Sequence, residues 1–276
     1  MNGARTGTLA SLRGSIARIE APSETNMPNR VALGHTSADA MLRGGLASAV
    51  LHEVFASGHQ SGAATGFVAG LAGRLSPRKP LVWVRQDFSD RESGALSMSG
   101  LTELGLDPRL MVTVRAADVD SGLRTAADAL ACDALGAVVL EVWGDVRQLD
   151  LVASRKLTLA AQASGVTALV LRIAATPIPS TAETRWIVRA AHSPPGNAAS
   201  ASMPAAPSMP AAPWGAPRFD AELVRNRHGP VGRWIMEWKC DECQFSEPSA
   251  HPQPVAATPA HRPHHAQVGA EQRLAG

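Results

Sequence analysis

Apolar runs of strand character alternate with segments of helical spacing through the middle of the chain. The five runs are VLHEVF (50–55), PLVWV (80–84), LMVTV (110–114), AVVLEV (137–142) and ALVLRI (168–173). Between them, the segments TGFVAGLAGRL, SGLRTAADALACDAL and LDLVASRKLTLAAQASG have the spacing and length of helices. Near-continuous apolar strands separated by helices are typical of a parallel sheet covered on both faces. We therefore predict a doubly wound α/β domain with a mainly parallel sheet.

Length and composition are compatible with one such domain and its additions. The 276 residues are 45% hydrophobic, which is enough for a sizeable core. With 26 basic and 24 acidic residues, the net charge of +2 gives no field that would by itself indicate nucleic-acid binding. Three cysteines and no apolar stretch of membrane-spanning length predict a reduced, cytoplasmic protein without membrane contact.

The amino-terminal part separates into a short amphipathic segment and the core. Residues 1–27 predict a helix followed by a polar linker, with one apolar stripe at helical spacing. The stripe consists of Leu9, Leu12, Ile16 and Ile19. Such a helix could dock on its own domain or on a partner. Residues 28–192 are assigned to the α/β core.

Composition changes again after the core. Residues 193–217 are rich in proline, alanine and serine and predict a linker or a long exposed loop. Residues 218–245 predict a β-hairpin around the turn HGPVG, which we expect to add to the edge of the main sheet. The tail, residues 246–276, is rich in proline, alanine and histidine and predicts disorder.

The stretch ASGHQSGAAT (56–65), here named the relic loop, lies between the first strand and the following helix. A phosphate loop, G-x-x-x-x-G-K-[ST], wraps phosphates with backbone N–H groups and neutralises them with its lysine. The loop residues compared with that pattern are Gly58, Gly62, Ala63, Ala64 and Thr65. Ala63 and Ala64 replace the glycine and the lysine, whereas Thr65 keeps its chemistry. Losing the lysine removes a contact of roughly 1.5–3 kcal/mol, so we expect no bound cofactor.

The surroundings of the loop resemble the RecA-type recombinase family. LGHTSADAMLRGGLASAVLHEVFASGHQSGAAT matches the family's opening pattern, with Asp39 at or next to its acidic position. The matching positions are Leu33, Gly34, Gly44, Gly45, Leu46, Glu53, Gly58 and Thr65. The hairpin resembles the closing strands of RecA-like helicases, with Arg225 and Arg227 at the Lys-x-Arg positions. The resemblance covers about residues 31–240 and implies a RecA-like core.

Each chemical element of that family is altered in this chain. The strand at the Walker B position ends at Glu141 rather than the usual aspartate. Arg85, Gln86 and Asp87 stand where the recombinases carry a catalytic glutamate, and AATPIPSTAETR replaces their DNA-binding loop. We therefore predict a pseudo-ATPase without catalytic residues.

This combination most resembles the ImuA family. The segments that carry the resemblance are SLRGSIARIE, GALSMSGLTELGLDPRL, ASRKLTLAAQASGVTALVLR, TRWIVRA and PRFDAELVRNRHGPVGRWIMEW. The resemblance implies a role in SOS-induced translesion synthesis as an adaptor that binds an ImuB-like Y-family polymerase subunit. It also implies contacts with an error-prone C-family polymerase and RecA, and it leaves direct DNA contact open. We expect the partner surfaces at the amino-terminal stripe and at Arg225 and Arg227.

Two alternatives remain. A SulA-like division inhibitor is also RecA-like without a phosphate loop, but such inhibitors are shorter and lack the closing hairpin. A residual ATP- or DNA-binding protein is compatible with the surviving Gly58 and Thr65.

Four further residues carry separate expectations. Trp143 follows the Walker B strand and either plugs an abandoned nucleotide site or packs at the rim under Arg147. Cys240 and Cys243 are interpreted as incidental thiols without a metal, because a zinc site needs a second ligand pair. Cys132 lies in a helical stripe and is expected in the core.

Overall fold

The computed structural model describes residues 29–194 and 215–248. The predicted amino-terminal helix, most of the 193–217 segment and nearly all of the predicted tail lie outside the described residues.

A nine-stranded mixed sheet forms the centre of the molecule, in the order β11-β10-β9-β8-β3-β7-β6-β4-β5. Its strands are β3 (Leu51–Ala56), β4 (Leu81–Gln86), β5 (Met111–Ala116), β6 (Ala137–Trp143), β7 (Thr167–Ile173), β8 (Thr184–Ala190), β9 (Arg218–Asn226), β10 (Gly232–Lys239) and β11 (Gln244–Ser246). The pairs from β8 to β5 are parallel, whereas β9, β10 and β11 continue the sheet antiparallel. Two short strands, β1 (Arg30–Val31) and β2 (Leu46–Ala47), pair separately. The predicted α/β fold with a mainly parallel sheet is confirmed.

Six α-helices accompany the sheet in the described part of the chain. They are α1 (Thr36–Met41), α2 (Ser61–Leu75), α3 (Asp87–Ser93), α4 (Met98–Glu103), α5 (Val119–Leu130) and α6 (Leu151–Ser164). The side chain of Asp118 caps α5 and that of Asp150 caps α6 by accepting backbone N–H groups. Gly165, in the left-handed conformation, ends α6. None of these helices combines the length and apolar character that crossing a bilayer requires.

The two faces of the sheet have different cores. Helix α2 covers one face, where Phe67 packs against Trp186, Phe219 and Phe245 at ring distances of 5.7, 5.6 and 5.2 Å. A Cβ atom at Gly70 would lie 2.8 Å from the Phe245 ring, so glycine permits this close approach. Helices α5 and α6 cover the other face, whose core consists of aliphatic side chains and alanines. Helix α2, which follows the relic loop, thus packs on the aromatic face.

The carboxyl-terminal hairpin completes the sheet as expected. Strand β9 pairs with β8, and β10 pairs with β9. The backbone N–H of Ala191 donates to Arg218, so both ends of the Pro-, Ala- and Ser-rich segment lie side by side. That segment therefore joins two adjacent strands of one sheet.

Two details differ from expectation. A short strand of three residues, β11, extends the sheet beyond the hairpin, and its Phe245 is fully buried. The sequence pattern did not indicate this strand. Cys132 is exposed rather than in the core. The reason is that α5 ends at Leu130, so Cys132 lies in the turn beyond the helical stripe.

Candidate functional site

Helix α2 begins inside the relic loop, so only a few residues separate it from the end of strand β3. Strand β3 ends at Ala56, a 3-10 turn covers Gly58–Gln60, and α2 starts at Ser61. The Gln60 backbone N–H donates to the Ser57 carbonyl at 2.9 Å. Since α2 begins three residues before Ala64, the glycine and lysine positions of a phosphate loop lie inside its first turn.

Ala64 points into the protein core. Its exposed fraction is 0%, and it belongs to the same buried cluster as Phe67 and Val68. Gly62 is exposed and Thr65 is half-buried. A lysine at position 64 would have to bury an ammonium group among apolar side chains, which is costly without a charged partner.

The indole of Trp143 lies on the relic loop. A Cβ atom built on Gly58 would be 3.2 Å from Trp143 Cζ2 and 3.8 Å from the Ala174 Cβ. Trp143 is half-buried at the end of β6, and its backbone N–H points to Gln86 Oε1 at 3.5 Å. The Trp143 indole is therefore in close contact with Gly58 of the relic loop.

A cleft lies beside the loop at the carboxyl ends of β3 and β7. It is lined by Phe55, Ala56, Ser57, Gly58, Ala174, Ala175, Thr176, Pro177 and Ile187. None of these lining side chains carries a charge. The cleft therefore lacks a fixed positive group that could neutralise phosphate.

Glu141, at the Walker B position, is paired with Arg85 on the neighbouring strand. The two residues are register partners of β6 and β4, and Arg85 Nε donates to Glu141 Oε1 at 2.8 Å. Trp83 Nε1 donates to the second carboxylate oxygen at 3.0 Å. Glu141 is fully buried; burial raises the pKa of its carboxyl group, and the Arg85 charge opposes that shift. Both carboxylate oxygens thus have partners within the protein.

The guanidinium of Arg85 is held from its other side as well. It donates to the Ser93 hydroxyl at 2.8 Å and the Gly94 carbonyl at 2.5 Å, and it forms an ion pair with Asp90. The neighbouring Asp87 forms an ion pair with Arg115 at 3.0 Å. Of the three residues that stand where the recombinases carry a catalytic glutamate, Arg85 and Asp87 are therefore engaged in ion pairs.

A second buried carboxylate lies on the opposite face of the sheet. Glu53 Oε2 accepts hydrogen bonds from Arg185 Nε and the Ser180 hydroxyl, both at 2.8 Å. The Phe55 ring lies between the guanidinium groups of Arg172 and Arg185, at 5.6 and 5.4 Å. Glu53, a position matched to the RecA-type pattern, is thus also engaged in the interior.

Arg225 and Arg227 lie away from the relic loop. Asn226 pairs with Thr184 at the beginning of β8, whereas the relic loop lies at the carboxyl end of β3. Arg225 is half-buried and donates to the Ser180 carbonyl at 2.8 Å, and Arg227 is exposed. The structure therefore does not bring these arginines together with the relic loop.

The remaining candidate ligands are held in structural contacts. Cys243 Sγ lies 3.4 Å from the Cys240 carbonyl oxygen and 3.6 Å from that of Gly105. The buried His52 contacts the Thr184 hydroxyl at 2.7 Å and the Ala47 carbonyl at 2.8 Å, and burial lowers its pKa to about 4. Within residues 29–194 and 215–248, no group of three or more His, Cys, Asp or Glu side chains is placed to hold a metal ion.

Sequence reasoning identified Glu141 and Arg85 separately but not their ion pair. Both are charged residues in otherwise apolar strand runs, and a buried charge requires a partner. The sequence therefore indicated that each charge needs a partner. It did not indicate that β4 pairs with β6, because β5 lies between these two strands in the chain but at the edge of the sheet.

Comparison with known proteins gives one clear similarity. No protein-family model matches the chain. The chain is 31% identical over 235 residues to Protein ImuA of Caulobacter vibrioides, in strain NA1000 / CB15N and in strain ATCC 19089 / CIP 103742 / CB 15. The alignment covers 79% of this chain and 87% of each relative. The similarity therefore extends over most of both chains.

Proposed function

The chain belongs to the ImuA family, and from that membership we propose that it is a non-enzymatic, RecA-like adaptor of damage-induced mutagenesis. It binds an ImuB-like Y-family polymerase subunit and helps assemble a complex with an error-prone C-family polymerase, with RecA as a further partner. Its fold supplies surfaces for these contacts rather than a nucleotide-driven reaction.

The observation that carries this proposal is the filling of the relic site by the protein's own side chains. The lysine position is a buried alanine, and the Walker B carboxylate has both oxygens occupied by Arg85 and Trp83. Trp143 lies over Gly58, where a triphosphate would otherwise approach the loop backbone. A phosphoryl-transfer enzyme needs a fixed cation and a free carboxylate for Mg²⁺ at this place.

The proposed contact surfaces are the amino-terminal stripe and the hairpin arginines. The stripe lies outside the described residues. Arg227 is exposed at the hairpin turn, which is compatible with a contact to protein or DNA phosphate. Arg225 contributes less free surface, because its guanidinium already donates to Ser180.

Co-purification with the ImuB-like subunit tests the adaptor role. The full-length chain and the subunit, expressed together, are expected to elute as a stoichiometric complex. Arg227→Ala is expected to weaken recovery, with the exposed Arg109→Ala as a matched control at another surface. Absence of binding by the full-length chain contradicts the proposal. Filamentation on overexpression without such a complex points instead to a SulA-like division inhibitor.

A further inference from the structure

Two cysteines lie at the ends of the tight turn that joins β10 to β11. Lys239 and Gln244 are the last register partners of this antiparallel pair, so the turn consists of residues 240–243. Cys240 and Cys243 are its first and last residues. Both are free and half-buried, and both pack against the core of the aromatic face. The turn therefore carries a pair of thiols.

The alternation of the strands places both thiols on the same side of the sheet. Trp238 and Phe245 are register partners, and both belong to the core of the aromatic face. Since side chains alternate along a strand, Cys240 and Cys243 fall on that face as well. Opposed residues of an antiparallel pair have Cα atoms about 4.5–5.5 Å apart, and a disulfide joins Cα atoms about 4.4–6.8 Å apart. The two cysteines therefore stand within the reach of a disulfide.

The Cys243 side chain is turned back over the turn. Its Sγ lies 3.4 Å from the Cys240 carbonyl oxygen, and Gly105 leaves room for it, because a Cβ atom there would lie 2.5 Å from this sulfur. The Cys243 backbone has a φ of 47°, in the left-handed region that favours glycine. A thiol thus stands where glycine would fit with less strain, and strained positions that keep a reactive side chain are typical of functional sites.

We propose that Cys240 and Cys243 are a modification site at which a small disulfide, such as oxidised glutathione, forms a reversible intrachain disulfide. Burial and the Asp241 carboxylate raise the pKa of the Cys240 thiol, so the first attack is assigned to Cys243. The Cys243 thiolate attacks one sulfur of the oxidant, forms a mixed disulfide and releases one glutathione. Cys240 then attacks Cys243 Sγ and releases the second glutathione. The chain loses two electrons and two protons, and the two released thiols carry them.

The disulfide would act on strand β11, which has only three residues. Phe245 of this strand is buried, and its backbone N–H donates to the Leu33 carbonyl at 2.9 Å. Strand β11 therefore also holds the segment that leads into α1. A covalent link across the turn restricts the local opening of so short a strand. Oxidation thus stiffens the junction between β11 and the segment at Leu33.

Equilibration of the full-length chain with mixtures of reduced and oxidised glutathione tests the site. In a Cys132→Ser background, the intact mass is expected to show the loss of two hydrogens without attached glutathione. Adding Cys243→Ser and Gln244→Cys gives the matched control, whose second thiol lies on the opposite face of the strand and is expected to carry glutathione instead. No reaction, glutathione adducts alone, disulfides between two copies, or equal intrachain disulfide in the control would each overturn the proposal.

Hydrogen exchange of the reduced and oxidised chains tests the effect on the fold. The amide of Phe245 is expected to exchange at least about fivefold more slowly after oxidation. The amide of Val114, on the edge strand β5 at the other end of the sheet, is the control and is expected to exchange equally in both forms. Equal exchange of Phe245 in the two forms would overturn the action on β11. Because no partner is present, this outcome is separable from failure of the adaptor role.

Discussion

The two faces of one sheet differ in the side chains that form their packed cores. On the face covered by α2, the buried Glu141 is paired with Arg85, and the Trp143 indole packs against Gly58 of the relic loop. On the face covered by α5 and α6, the packed core is aliphatic, yet α6 leaves Val152 and Leu159 in solvent. The carboxylate at the Walker B position is thus paired inside the protein, whereas α6 presents apolar side chains to solvent on the other side of the sheet.

The largest expected effect comes from restoring the phosphate-loop lysine. Ala64→Lys is expected to lower the free energy of unfolding by about 5 kcal/mol, because the ammonium enters an apolar core. The variant is not expected to bind nucleotide. Gly62→Lys is the matched control, since a side chain there meets open space. Urea denaturation measures both. A stable Ala64→Lys protein that binds ATP would show that the α2 face is not closed.

Breaking the Glu141–Arg85 pair is the next largest change. Glu141→Ala is expected to cost about 3–4 kcal/mol, because it leaves a buried guanidinium with one carboxylate fewer. The double variant Arg85→Met/Glu141→Leu is expected to cost less than that, since neither charge is then left unpaired. Chemical denaturation of the single and double variants measures the difference. Equal costs would mean that the pair does not act as a unit.

Much of the fold follows from local sequence pattern, but the pairing of the buried charges does not. The strands from β3 to β7 and the hairpin could be predicted because apolar runs and turn residues act within a few positions. Strand β8 mixes Arg185 and Arg189 with Trp186, so its pattern alone does not identify a strand, although its position between β3 and β9 requires one. The partners of Glu141 depend on which strands become neighbours, which is a property of the whole sheet.

Acid pH is expected to weaken the junction between β3 and β8 through His52. Folding lowers the pKa of His52 from 6.5 to about 4, so the neutral ring stabilises the fold fully above pH 6.5. That contribution, about 3 kcal/mol, is lost as the pH falls from 6.5 towards 4. Unfolding free energies measured across this range are expected to fall less steeply in His52→Asn than in the unmodified chain. Parallel slopes would contradict this account, and His228→Asn controls for loss of an imidazole at the surface.

Removing the tryptophan that covers the loop is the smallest of the four changes. Trp143→Ala is expected to cost about 2 kcal/mol, because the side chain is half-buried. Nucleotide binding is not expected to appear, since the lysine position and Glu141 remain as they are. Thermal unfolding with and without MgATP measures both effects. A clear rise in Tm with MgATP would mean that Trp143 alone closes the site.

The most direct test of the claim that the chain has no working nucleotide site is equilibrium binding of a fluorescent ATP analogue to the unmodified full-length chain in the presence of Mg²⁺. That claim predicts no saturable binding up to about 1 mM, where a complex would be worth only about 4 kcal/mol. Saturable binding in the micromolar range, about 8 kcal/mol, would contradict it. The α2 face would then be a working nucleotide site.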